Sequence, residues 1–99
     1  MLKTMIIDSE VEKKARMLTC RFSLLKLIVQ CNKHSQEEFS ISIDSWLKWH
    51  ELKKEFKKLL EDYDNGCKLN EELLIKIYDM KLTNNPIIVK RLIKLIRIR

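Results

Sequence analysis

The nearest approach to a metal-binding motif in this 99-residue chain is the segment 31–34, Cys-Asn-Lys-His. Structural zinc sites use about four Cys or His ligands, which usually come as two short paired spacings. This chain has one such pair, and Cys20, Cys67 and His50 are far from it in the sequence. Because the ligand set is incomplete, we predict no metal and interpret the cysteines as buried, reduced side chains.

Cys31 and His34 would also be a nucleophile and its base if their side chains met. No pattern for an oxyanion hole accompanies them, and the single glycine, Gly66, lies at a predicted helix end, so no phosphate-binding loop is indicated. We interpret His34 as a solvated loop residue. The acidic segment 61–64 lacks the ligand spacing of a calcium loop, and we interpret it as a solvated helix end. The sequence therefore predicts no catalytic residue and no cofactor, and we expect a protein that is not an enzyme.

The charge distribution is the feature that is most informative about binding partners. The formal net charge is +6 and the sequence pI is about 9.3. The excess is concentrated in residues 86–99, which contain five basic residues and no acidic one, whereas residues 61–72 are acidic. At 100° per residue, three of the basic residues share one arc of a helix, one flanks it and one ends it: Lys90, Lys94 and Arg97, then Arg91, then Arg99. This face is a candidate surface for nucleic acid or a protein partner, and an ordinary solvated face is the alternative.

A second candidate surface combines an aromatic residue with cations. Its residues share an arc beside the predicted core face of another helix: Trp46, His50, Lys53 and Lys57. A tryptophan among cations can stack on a base or anchor a protein partner. We favour the other interpretation, in which Trp46 covers the edge of the core and the lysine stems lie over it.

Four helices are predicted to position these residues. The first begins at Asp8 or Ser9, with Glu12 completing a capping box, after an N-terminal extension at 1–7. Its predicted core face follows spacings of four and three residues: Val11, Ala15, Leu18, Phe22, Leu25 and Val29. A second stripe runs beside it: Met17, Leu24, Ile28 and Cys31.

Residues 32–45 are predicted to be an irregular connection, with at most one helical turn after Ser35. Asp44 or Ser45 then caps a helix that ends at Asn65-Gly66, and Asn70 caps a third. Asn85 and Pro86 begin the last helix, whose predicted inward residues are Ile88, Val89, Leu92, Leu95 and Ile96. The sequence therefore predicts an all-α single domain over 1–99, a compact bundle or array of four or five helices.

The second half resembles a sterile alpha motif domain in its Asp44-Ser45-Trp46-Leu47 start and its final amphipathic helix. It also resembles the helical domain at the N-terminus of transcription elongation factors. Those sterile alpha motif domains usually carry a glycine before the last helix, where this chain has Asn84-Asn85-Pro86. We assign the chain to neither family.

The odd number of cysteines, three, and the absence of a signal-peptide pattern predict a reducing compartment, the cytoplasm or nucleus. Basic residues interrupt the apolar runs, so the sequence predicts no membrane segment. The abundance of Lys, Ile, Leu and Asn suggests an AT-rich genome, such as that of a low-GC bacterium, a phage, a virus or a protist. We expect a regulatory or accessory protein that binds a macromolecular partner, protein or nucleoprotein. Nucleic-acid binding through the last helix is the alternative, and the polarised charge also permits a homo-oligomer.

Overall fold

A computed structural model of the chain describes the backbone of residues 2–97 and the side chains of residues 10–97. The described chain forms four helices: α1 (Leu2–Phe39), α2 (Ile43–Asp64), α3 (Glu71–Met80) and α4 (Pro86–Arg97). Residues 2–97 contain no strand. The predicted all-α fold is therefore confirmed.

The helices form an up-down-up-down bundle. α1 packs against α2 and α3, and α4 packs against the same two helices from the opposite corner. Contacts of Asn32 with Lys53 and of Arg21 with Asp64 show that α1 and α2 run antiparallel. The amide N of Asn70 donates to the carbonyl O of Ile96 at 2.9 Å, so α3 begins where α4 ends. Successive helices thus alternate in direction, as in other antiparallel bundles, while α2 and α3 occupy diagonal corners, as do α1 and α4.

α1 is longer than the bundle that it helps to form. Its 38 residues correspond to about 57 Å of helix, and the longest dimension of the molecule is 58 Å. Every side chain from 10 to 19 is exposed, and the first buried residue among the described side chains of α1 is Cys20. We call residues 10–19 the arm of α1, since they extend beyond the packed part of the bundle.

The face of α1 that enters the core differs from the predicted one. Leu18, Phe22 and Val29 are exposed, although their spacing predicted a core face. Among the described side chains of α1, the buried ones are instead Cys20, Ser23, Leu24, Leu27, Cys31 and Ser35. Of the second predicted stripe, Leu24 and Cys31 are buried, Ile28 is half-buried and Met17 is exposed.

Small side chains explain this choice of face. Cysteine and serine at four of the six buried positions allow the α1 backbone to lie close to α2 and α3, where Trp49 and Phe56 fill the space. The Ser23 hydroxyl donates to the carbonyl O of Thr19 at 2.8 Å, so its burial leaves no polar atom without a partner. The spacing of apolar residues predicted that the bulkier face of α1 would be buried, whereas in the fold that face is exposed to solvent.

The ends of α1 also differ from the prediction. The backbone is helical from Leu2, so the predicted extension at 1–7 is wrong for residues 2–7, and Met1 and the capping-box side chains of Asp8 and Ser9 lie outside the described residues. The predicted irregular connection at 32–45 is reduced to residues 40–42, because helix continues to Phe39 while Cys31 and Ser35 pack inward.

The other helix boundaries follow their capping residues. α2 is capped by Ser42, two residues before the predicted cap, and its hydroxyl accepts from the amide of Ser45. Gly66 has φ +92°, which confirms the predicted left-handed end of α2. The side chains of Asn70 and Asn85 accept from the amides of Leu73 at 3.2 Å and Ile87 at 3.0 Å, which confirms the predicted caps of α3 and α4.

The inward face of α4 is rotated from the predicted one. Val89 and Ile96 are buried and Leu92 is half-buried, as predicted. Ile93 is also buried, whereas Ile88 and Leu95 are exposed. The three-residue and four-residue steps from 89 through 93 to 96 keep the buried side chains on one arc of the helix.

Candidate interaction surfaces

The longest exposed apolar feature among the described side chains lies on α1. We call it the α1 stripe: Val11, Ala15, Leu18, Phe22, Leu25 and Val29. All six residues are exposed, and Leu18 has 68% of its surface open to solvent. The stripe spans about 27 Å along the helix, at 1.5 Å per residue. Its regular alternation of four and three residues is the spacing of the seam positions of a coiled coil.

Charged and aromatic groups define the edges of the α1 stripe. Arg21 Nε donates to Asp64 Oδ1 at 2.8 Å, a pair that holds the pKa of Asp64 below its ordinary value. The Lys26 ammonium lies 5.4 Å from the ring centroid of Phe22, and Tyr78 of α3 meets the same ring edge-on at 6.0 Å. Phe22 is thus held at the boundary of the bundle, with half of its surface exposed. An apolar stripe with polar edges is typical of a protein contact.

The predicted basic face on α4 is exposed but has acidic neighbours. Lys90, Arg91 and Lys94 are exposed, as the prediction requires. Arg97 donates to Asp62 of α2 at 3.1 Å, so the acidic segment and the basic helix are joined within one chain. Arg99 lies outside the described residues.

A groove of about 490 Å³ separates α2 from α4 beside this basic face. Its charged wall residues are Lys48, Lys54, Lys90, Glu51 and Glu55. Leu52, Pro86 and Ile87 contribute apolar surface. The mixed charge of the groove distinguishes it from the uniformly cationic surface that phosphate backbones favour.

The second candidate surface is split between two environments. Trp46 is half-buried between Phe39, which it meets edge-on at 5.5 Å, and His50, on which it stacks at 5.3 Å. Lys53 Nζ donates to Asn32 Oδ1 at 3.2 Å, and Lys57 is exposed. Trp46 therefore packs against Phe39 and His50, and the interpretation that it covers the edge of the core stays a prediction.

Sequence reasoning missed an apolar cluster at the turn between α1 and α2, where it predicted an irregular connection. Four large apolar side chains are exposed there: Phe39, Ile41, Ile43 and Leu47. Their signal in the sequence is the alternation of apolar residues and serines over 39–43.

Two of the three cysteines are buried, and each histidine stacks on a tryptophan. Cys31 is buried, and His34 stacks on Trp49 with ring centroids 4.3 Å apart, so the predicted solvated position of His34 is wrong. Cys67 is exposed, which contradicts its predicted burial. No group of three or more potential ligand side chains capable of holding a metal is found among the described residues.

One polar cluster crosses the interior near the start of α3. The Tyr63 hydroxyl donates to Glu71 Oε2 at 2.6 Å, and the Cys20 thiol donates to the same oxygen at 3.6 Å. Burial, followed by the charge on Glu71, raises the pKa of Cys20 to about 11. Burial and the hydrogen bond to Glu71 raise the pKa of Tyr63. Both groups are therefore neutral donors at pH 7, which suits a structural junction of α1, α2 and α3.

Comparison with protein-family models, with curated proteins and with solved structures found no match to this chain. Within residues 2–97, no helix is both long and apolar enough to cross a bilayer.

Proposed function

We propose that this chain is a non-enzymatic accessory protein that binds a macromolecular partner, a protein or nucleoprotein, through the α1 stripe. The observation that carries the proposal is the exposure of six apolar seam positions in a row on one helix. Burying such a stripe removes apolar surface from water, which is the main favourable term in most protein association.

The spacing of the α1 stripe identifies the chemistry of its occupant. Seam residues that recur by four and three along a helix fit into the holes of another helix with the same repeat. An extended strand would match a two-residue repeat instead. The occupant is therefore an amphipathic α-helix of the partner.

The proposal is tested by affinity purification of the tagged chain from its source cell, with a matched pair of variants. Leu18→Glu places a charge in the stripe, whereas Met17→Glu places the same charge at the adjacent exposed position outside it. We expect the native protein and Met17→Glu to retain a partner and Leu18→Glu to lose it. An untagged copy of the chain counts as a partner in this experiment. Retention of every partner by Leu18→Glu would refute the proposal.

Nucleic-acid binding remains the alternative function, favoured by the exposure of Lys90, Arg91 and Lys94 on a helix without acidic residues. Phosphate contacts by lysines give binding that weakens steeply with salt. Titration of labelled duplex and single-stranded DNA and RNA at low and physiological salt tests it. Binding at low salt that is lost in the Lys90→Glu, Lys94→Glu double variant would support this alternative, and no binding at low salt would eliminate it.

A further inference from the structure

We infer that the helix which covers the α1 stripe is the α1 stripe of a second copy, running antiparallel to the first. This inference rests on the proposed function, because it names the occupant of the same surface. Three features support it: the self-complementary order of residues along the stripe, the charges beside it and the exposure of the arm.

The stripe matches itself when two copies run antiparallel and cross near residue 20. In this register Val11 lies opposite Val29 of the second copy, Ala15 opposite Leu25, and Leu18 opposite Phe22. All six stripe residues are paired, and the smallest side chain faces a large one. In a parallel pair the two alanines would face each other and leave a gap beside two facing phenylalanines, which is the poorer packing.

The flanking charges favour the same orientation. In the antiparallel register the carboxylate of Glu12 lies beside the ammonium of Lys26 on the second copy, at both ends of the seam. A parallel pair would instead bring Arg21 beside Lys26 of the second copy, two like charges on each side. The two Arg21 side chains approach each other near the antiparallel axis, and each brings the carboxylate of Asp64 with it.

The arm of α1 gives the third argument. Its ten side chains are all exposed, and a single helix of this length is marginal in water without packing. An antiparallel second copy lays the arm of each chain along residues 20–29 of the other, where the helix is anchored by the core. A parallel copy would pair one arm with the other and leave both beyond the bundles.

The oligomeric state is the primary measurement. Sedimentation of the full chain from low to high micromolar concentration should show a reversible monomer–dimer equilibrium, because the seam is slightly shorter than three heptads. Leu18→Glu should be monomeric throughout, with helical circular dichroism retained, and Met17→Glu should dimerise like the native chain. A native chain that stays monomeric, or a Leu18→Glu chain that dimerises, overturns the inference.

Orientation is tested by disulfide trapping in a Cys67→Ser background, which removes the exposed native thiol. Val11→Cys and Val29→Cys proteins are mixed and oxidised mildly. The antiparallel register predicts a mixed 11–29 disulfide in preference to either homodimer. A prevailing 11–11 disulfide would indicate a parallel dimer and overturn the inference.

A charge reversal supplies an independent check. Glu12→Lys and Lys26→Glu should each weaken dimerisation alone, and the two changes together should restore it. In a parallel dimer Lys26→Glu alone would instead strengthen dimerisation, because it would face Arg21 of the second copy. The two proposals fail separately. If the native chain is monomeric in sedimentation but its purified partner is lost only from Leu18→Glu, the dimer is refuted and the proposed function is still supported.

Discussion

The fold gives the three cysteine thiols, at Cys20, Cys31 and Cys67, different exposure and therefore different reactivity. Burial raises the pKa of Cys31 to about 12, against the opposing charge of Lys53, and Cys20 is raised to about 11. Cys67 follows the end of α2 and is exposed. Burial keeps reagents away from the two buried thiols. Their raised pKa also keeps them protonated, and the protonated thiol is the unreactive form.

We predict that one of the three thiols reacts rapidly with a thiol-specific reagent at pH 8. The buried pair should react only as the bundle opens, because their raised pKa values keep them almost entirely protonated at that pH. Counting modified cysteines by mass spectrometry checks this. Cys67→Ser should abolish the rapid phase, and in denaturant all three thiols of the native chain should react. Two rapidly labelled thiols in the folded protein would contradict the assigned burial.

At the scale of the helix, α1 shows what the sequence predicts and what it leaves open. Capping signals located the starts of α3 and α4, because a capping side chain bonds within its own turn and needs no distant partner. Which face of α1 turns inward depends on α2 and α3, which pack closest where cysteine and serine leave room. The spacing of the α1 stripe was visible in the sequence, yet periodicity alone does not distinguish a core face from a seam for a second helix.

The face of α1 is tested by two adjacent leucines. Leu24 is fully buried and Leu25 is 43% exposed. Leu24→Ala should lower the free energy of unfolding by about 2–5 kcal/mol, the range for a buried leucine that leaves a cavity. Leu25→Ala should lower it by about 0.5 kcal/mol at low protein concentration, where the chain is monomeric. Urea unfolding measures both changes. Equal losses at low concentration would show that both residues are in the core, contrary to the fold.

At the scale of the whole molecule, the bundle and the arm are expected to differ in stability. The packed part of α1 shares the core with Trp49 and Phe56, whereas every side chain of the arm is exposed. Local opening is favourable where few apolar contacts must break. The arm is therefore the part of the described chain whose order depends most on a partner, which connects the exposed seam to the proposed function.

Hydrogen exchange measures this dependence directly. In dilute solution we predict weak amide protection over residues 10–19 and strong protection over 20–35, because the core anchors only the second range. As the concentration rises through the dimerisation range, protection of the arm should increase while that of 20–35 changes little. The Leu18→Glu chain should keep an unprotected arm at every concentration. Strong protection of the arm in a dilute, monomeric sample would contradict the assignment, because the arm would then be stable without a second helix.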